Sequence, residues 1–582
     1  MSCDFILQLS KLRKSSAESV ENTDGFDTFK KYLHVERPVE TELKNLLRKI
    51  NAEQNKVLVM LCGSAGDGKS HLISYLKNAD EENLLKSYIP YNDATESSEP
   101  TLTSIDTLAI KLAPFNDDNI NNNDSTKMIM AINLGTLNNF IESDKARNFT
   151  KLRDYVLQNN IFSSFSYEMG YHENSIFQHV SFSDYQVFTL NEDGIGTEYL
   201  DQLLEKIFNK SKENPFYQSY CNEAESCTMC NRCPVRHNFE FLSNEKCRKQ
   251  LIMRIVEIVI KDKQIVSTRE VLNLLYDLMV HPEFSYEHLL DMSSETKYLN
   301  NYISWTTPML LNEFEDISPL IDSIRKYDVL KERGSKLDQD IMKFHSLENI
   351  QEVFLESTKD TPYSVLNNLT SISILGAIKP ELKRDVYRFM IRLKAMKGEI
   401  FPNIHRERFN EYIKYLYYQN IGKERKLAKL YETTKKAIMC WNGEFDDDYI
   451  CIDDLNEQYW ILEKLEIKPE IERNFRNDKT IVERFSPMLT VHFKKANSDG
   501  KDKKELNIDF SLFELIFNMR NGYRPTTRDK NHHADFVSYV QQISQLGNKD
   551  SKIMIVPKNR TKDYMISFEK DDFYGFEFKV VK

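Results

Sequence analysis

Glycine and proline are scarce in this chain of 582 residues, at 17 and 16 respectively. That scarcity excludes fibrous repeats and long flexible linkers. No apolar run approaches the ~18–20 residues that span a bilayer. The N-terminal segment MSCDFILQLSKLRKSS has an apolar patch too short for a signal sequence and no small-residue cleavage site after it. A cytoplasmic protein that makes no membrane contact is expected. Basic charge is in deficit, because 78 Lys and Arg stand against 89 Asp and Glu, a net charge of −11. Such a chain does not coat nucleic acid by charge alone; contact needs a local basic patch or a partner subunit. Cysteine is present in an odd number, nine, which argues against a disulfide framework. The remainder is ordinary for a globular protein, with 41% hydrophobic and 29% charged residues. At roughly 150 residues per domain, the length predicts three or four units.

The sharpest motif follows a short apolar run, Val57 to Cys62, of the kind that forms a strand buried on both faces. Gly63-Ser64-Ala65-Gly66-Asp67-Gly68-Lys69-Ser70 then matches the phosphate-binding pattern G-x-x-x-x-G-K-[ST], and His71 to Lys77 reads as the next helix. Glycines let the backbone curl so that its N–H groups face phosphate, and the helix N-terminus adds positive potential. Lys69 is expected to reach the β- and γ-phosphates of ATP, and the Ser70 hydroxyl to ligate Mg²⁺. Residues 63–71 and Asp93 are therefore the expected nucleotide-binding set.

Around this loop the assignments are less singular. His34 to Pro38 precedes an amphipathic helix, Val39 to Ile50, which in AAA+ ATPases packs near the adenine; a helix merely covering the sheet fits equally. A strand from Ser87 leads to Asp93, a Mg²⁺-shell carboxylate, and Glu96, which would orient water. Pro90 weakens that strand, a turn or a cap for a helix at Thr101–Leu112 is the plain reading, and Asp117 and Asp118 are the alternative carboxylates. The strand Lys127 to Asn133 ends in an amide that fits a sensor of the γ-phosphate or of attacking water, or else a simple cap. A further strand is expected over His179–Leu190. Arg147, Lys151 and Arg153 could serve a neighbouring subunit as an arginine finger, or be a solvated helix face. Arg269 stands in the first turn of a helix, Arg269–Val280, that Ser267 or Thr268 would cap. The macrodipole disfavours a cation there, so a specific partner is implied. The expected catalytic set is Lys69, Glu96, Asn133 and Arg269.

Cys221, Cys227, Cys230 and Cys233 give C-x₅-C-x₂-C-x₂-C in a polar stretch. Close C-x₂-C steps suit one tetrahedral ion, so a structural Zn²⁺ site is expected, with His237 as a substitute ligand. An iron–sulfur cluster is the alternative. Beyond residue 280 the periodicity is helical, in Ser318–Arg325, Leu382–Met396 and Arg408–Tyr418. From Phe445 it changes to short strands, with a hairpin turn at 497–501. Arg520, Arg524, Arg528 and Lys530 surround Tyr523 in a loop that could meet DNA phosphates, dock an acidic partner, or simply be solvated. The expected architecture is an α/β P-loop NTPase domain of AAA+ type over 1–280, including an N-terminal helix, a lid and a four-cysteine metal-binding insertion at about 215–245. A helical domain over 281–440 and an α+β C-terminal domain over 441–582 follow.

Several of these segments, in this order, resemble one family. His34-Val-Glu-Arg-Pro38, Gly63–Ser70 with Asp67, Asn92-Asp-Ala-Thr-Glu-Ser97, Ile132-Asn-Leu-Gly135, Ser267-Thr-Arg-Glu270 and Gly522-Tyr-Arg-Pro525 look like the DptF (also DndF) component of bacterial DNA phosphorothioation-dependent restriction. The resemblance implies an ATPase subunit working with two partners, the G and H components, in a complex that attacks double-stranded DNA lacking the sulfur mark. It does not say whether this chain meets DNA directly or through partners, or whether it forms a homo-oligomer. Two other readings stand beside it: a nucleotide-switched scaffold with little turnover, and a DNA-binding subunit acting through the C-terminal loop.

Overall fold

The computed structural model describes residues 3–21, 28–53, 56–91, 103–122, 124–162, 171–285, 287, 295–313, 318–331, 335–346, 350–368, 380–399, 403–443, 449–453, 458–471, 481–496, 502–547, 552–558, 565–571 and 575–581. They form two compact units. Unit 1 comprises Met1–Thr189, Gly196–Asn403 and Glu483–Phe485; unit 2 comprises Leu190–Ile195, Ile404–Val482 and Ser486–Lys582. The helices of residues 281–403 therefore pack with the N-terminal part of the chain, whereas Glu424–Cys440 packs with the strands that follow it.

Unit 1 is built on a four-stranded parallel sheet. Its strands are β1 (Val57–Gly63), β2 (Tyr88–Tyr91), β3 (Lys127–Asn133) and β4 (Phe177–Ser181), in the order β2-β3-β1-β4. Every residue of β1 is buried, as expected for a central strand with helices on both faces. Its side chains alternate between two apolar cores. Leu58, Met60 and Cys62 enter one with Phe115, Phe140 and Leu152, while Val57, Val59 and Leu61 enter the other with Leu43, Leu47 and Ile73. The register pairs Gly63 with Asn133 and Cys62 with Ser181, so β1, β3 and β4 end almost level. Parallel strands need helical crossovers, and the crevice at their C-terminal ends is where such sheets bind ligands.

Two strand expectations are resolved by position. Pro90 lies in β2, and β2 is the outer strand of this sheet, where a missing N–H costs no ladder bond. The single strand expected over His179–Leu190 is broken. A 3₁₀ turn at Phe182–Asp184 separates β4 from the strand Tyr185–Asn191, because Phe182 turns into the core beside β1. Arg484, in the segment that returns to unit 1, then pairs with buried Asp184.

In unit 2, five antiparallel strands run in the spatial order Gly575–Val581, Met565–Asp571, Lys552–Pro557, Tyr459–Lys464, Tyr449–Asp453. A three-stranded sheet (Ile467–Pro469, Leu489–Lys495, Lys504–Ile508) and the helices Glu424–Cys440, Phe510–Arg520 and Ala534–Ser544 complete it. The expected hairpin at 497–501 falls outside the described residues, except for its neighbours Ala496 and Asp502. Among the described residues, no helix is long and apolar enough to cross a membrane.

Candidate functional site

A cavity of about 360 Å³ opens over the C-terminal ends of β1 and β3. One wall is the glycine loop itself, from Ala65 to Ser70. Gly66 (φ +87°) and Gly68 (φ +99°) hold left-handed backbone, which side-chain-bearing residues adopt at a cost of roughly 1–2 kcal/mol. Gly68 is also the N-cap of the helix Lys69–Asn78, and no side chain caps that end. That end of the helix lines the cavity, and a helix N-terminus carries the positive potential that favours anions.

The loop is closed on itself. Lys69 is buried, and its Nζ donates to the Ser64 carbonyl at 2.5 Å. The Ser64 N–H donates to Asp67 Oδ2 at 2.5 Å. Burial raises the Asp67 carboxyl, opposed by the Lys69 ammonium, the Ser64 N–H and Arg37. Arg37 Nη1 donates to the Asp67 carbonyl at 3.0 Å, and the guanidinium lies over the rings of Phe182 (5.4 Å) and Tyr199 (5.0 Å). Tyr199 in turn bonds Thr268 Oγ1 at 2.7 Å.

Thr268 opens the helix Thr268–Asp277, which Ser267 caps in a reciprocal box with Glu270. The helix is thus one residue earlier at its start and three shorter at its end than the sequence pattern predicts. Its first turn lies on the loop: a Cβ at Gly66 would stand 3.0 Å from Ser267 Oγ and 3.2 Å from Arg269 Cβ. Arg269 lines the cavity, so this cation at a helix N-terminus faces the same space as Lys69. Asn133 occupies the N-cap position of the helix Leu134–Ile141 but makes no side-chain cap bond; it lines the cavity instead.

The cavity wall also has apolar members, Leu33, Val35, Val39, Leu203 and Leu272. Beside it runs a polar chain. His34 Nδ1 meets His71 Nε2 at 3.2 Å, His34 Nε2 meets Glu40 at 3.1 Å, and Lys44 meets Glu40 at 2.8 Å. The His34 ring stacks on Tyr75 at 3.5 Å. Burial pushes Glu40 up, and hydrogen bonds from His34 and Lys44 outweigh it, leaving its carboxyl below the usual range. Burial, then the nearby His34 charge, takes His71 down to about 4. Its folded-state pKa is below the ordinary value of ~6.5, so the unfolded chain binds more protons between those values. Stability is therefore lost as pH falls through that window. Half-buried His179 and buried His237 and His281 are also lowered to about 4. His71→Gln is expected to flatten the fall in Tm from pH 6.5 to pH 4, and identical slopes for variant and wild type would refute this account of His71.

Of the charged residues that line the cavity, four are cationic (Lys30, Arg37, Lys69, Arg269) and two acidic (Glu40, Asp67). The balance suits a polyanion. Lys69, Asn133 and Arg269, separately chosen from the sequence, meet at this cavity together with Ala65, Gly66, Asp67, Gly68, Ser70 and His71. Gly63 and Ser64 form the junction between β1 and the loop. Asp93 and Glu96 lie outside the described residues, two and five positions past the end of β2. Asp117 caps the helix Thr150–Gln158, accepting from the Thr150 N–H at 2.8 Å and the Lys151 N–H at 3.2 Å, and it is not part of the cavity wall. Arg147 pairs with Asp144 on an exposed turn, and Lys151 and Arg153 also lie away from the cavity wall. Sequence reasoning passed over Arg37, Phe182 and Tyr199 as site residues. Only the His34–Pro38 segment pointed towards one of them.

Among the described residues, no group of three or more His, Cys, Asp or Glu side chains is placed to hold a metal ion. Cys221 is exposed on the helix Pro215–Ser226, and Cys227 and Cys230 are half-buried. Cys233 is buried, which pushes its thiol up to about 12. His237 turns away to Tyr302.

Comparison with protein-family models, with curated proteins and with solved structures gives no match.

Proposed function

We propose that the cavity binds ATP and that unit 1 is a P-loop ATPase of AAA+ type. The observation that carries this reading is the convergence of Lys69, Asn133 and Arg269, from three separate segments, on one cationic cavity at the N-terminus of the helix Lys69–Asn78. The triphosphate would lie along residues 65–70, with the Lys69 ammonium neutralising charge that develops on the transferred phosphoryl group. The Ser70 hydroxyl is the group that would hold Mg²⁺, which supplies further charge neutralisation when bound. The Asn133 amide would orient the attacking water, and Arg269 would report the γ-phosphate to the helix that carries it. The base would sit among the apolar residues near Val35, beside His34. The likeness to the DptF component makes this chain an ATP-hydrolysing subunit of a phosphorothioation-dependent restriction complex acting on unmodified DNA with G and H partners.

A specific observation favours a second reading, a nucleotide-switched scaffold. The two carboxylates of the cavity wall are already engaged, Asp67 by the Ser64 N–H and Glu40 by His34 and Lys44. Among the described residues, neither is free to activate water, and that task falls to Asp93 or Glu96 in the first reading.

Turnover by the purified chain, alone and with DNA, separates the two. For Arg269→Ala the first reading expects kcat to fall by about 10- to 100-fold, with a smaller change in nucleotide affinity. Unchanged kcat would remove Arg269 from the machinery, and failure of the wild-type chain to bind ATP would remove the reading itself.

A further inference from the structure

Unit 2 carries a basic surface in a chain whose net charge is −11. The helix Glu424–Cys440 has five basic residues against two acidic ones. Lys426, Lys429 and Lys436 are exposed at helical spacings of three and four around buried Thr433; Lys429 pairs with Glu411 at 2.8 Å, so Lys426 and Lys436 are the ends of the row. The row is about 15 Å long, at ~1.5 Å per residue.

The loop after the helix Phe510–Arg520 is fixed onto the same helix at both ends. Arg520 Nη1 donates to Thr433 Oγ1 at 3.0 Å, between Lys429 and Lys436. Lys530 Nζ donates to Asn442 Oδ1 at 3.4 Å, just past the helix end. The segment closes in a short helix, Thr527–His532, where Asp529 completes the capping box of Thr526 by accepting from the Thr526 N–H and hydroxyl, and it also accepts from the Tyr523 hydroxyl, each at 2.7 Å. The loop's acidic group is consumed in holding the loop's shape, which leaves Arg524 and Arg528 exposed as cations and the Tyr523 ring 44% exposed. An ordered row of cations beside a held, exposed aromatic is the arrangement that tracks a phosphodiester backbone and stacks on a base.

We infer that this face of unit 2 binds nucleic acid through its phosphodiester backbone. The inference rests on the charge and geometry of unit 2 alone and holds whether or not the cavity of unit 1 turns over ATP. A duplex presents about one negative charge per 1.7 Å of axis, so the 15 Å row faces several phosphates at once.

Fluorescence anisotropy of the full chain with labelled 20-nucleotide single strands and duplexes tests it. Binding is expected at about 50 mM salt, weakening steeply as salt rises. The triple variant Lys426→Glu, Lys436→Glu, Arg524→Glu changes exposed residues only. It should bind at least tenfold more weakly, and its plot of log K against log salt should be shallower by about 2–3. Unchanged affinity in that variant, or salt-insensitive binding by the wild type, overturns the proposal. So does equal competition by polyglutamate, which would mark an acidic protein as the partner. An unaltered Tm in the variant separates lost contact from lost fold.

Discussion

Lys69→Ala is expected to abolish ATP hydrolysis while leaving the chain folded. The ammonium is the one cation that projects from the glycine loop itself, and burial sets it in a low-dielectric wall where charge acts strongly on a ligand. Removing one such donor from a phosphoryl-transfer site costs about 100- to 1000-fold in rate. The fold should survive for two reasons. Alanine is the best helix former, and Lys69 is the first residue of the helix Lys69–Asn78. The lost bond to the Ser64 carbonyl is worth only about 1 kcal/mol net, and a buried cation disappears with it. Phosphate release and a thermal melt, measured on the same preparation, check both halves. Normal turnover would sink the ATPase reading.

Gly66→Val should cost nucleotide binding rather than rate alone, by at least about 100-fold in affinity, or ~2.7 kcal/mol. Two costs add. The φ of +87° is one that a β-branched residue adopts only with strain. The new Cβ would also stand 3.0 Å from Ser267 Oγ and 3.2 Å from Arg269 Cβ, which forces the first turn of the helix Thr268–Asp277 off the loop. Gly68→Ala is the internal control. It shares the left-handed backbone, at φ +99°, but its Cβ meets nothing within 4 Å. It should therefore show backbone strain of roughly 1–2 kcal/mol and no displacement of Arg269. Titration with a fluorescent ATP analogue compares the two. Equal affinities for Gly66→Val and wild type would mean that the loop and this helix do not act as one wall.

Much of the site was legible because its signals are local. An apolar run with no polar interruption announced a doubly buried strand, and Val57–Gly63 is buried throughout. The glycine spacing announced left-handed turns, and Gly66 and Gly68 adopt them. Arg269, singled out as a cation in a first helical turn, lines the cavity. Legibility stopped where a residue's role depends on what arrives from far along the chain. Arg37 contributes by reaching a carbonyl 30 positions away and lying between two rings from other elements. Nothing in its own neighbourhood encodes that. Asp117 reads as a possible metal ligand in isolation, yet a helix start 33 positions later claims it. The four cysteines, close in sequence, differ in burial, from exposed Cys221 to buried Cys233, a difference that packing sets and spacing does not encode.

By itself, the sequence determined the buried strand, the curled loop and the helix that follows, because backbone preference and hydrophobic period act over a few residues. Its small overall negative charge concealed a basic helix in unit 2, which becomes a surface only when Arg520 and Lys530 brace a distant loop against it. Only the tertiary structure set Asn133 opposite Gly63 and Arg269 over Gly66. Those pairings join residues 70 and 203 positions apart, and they exist because the parallel register of β1 with β3 and the burial of two apolar faces leave the chain no other way to close the cores.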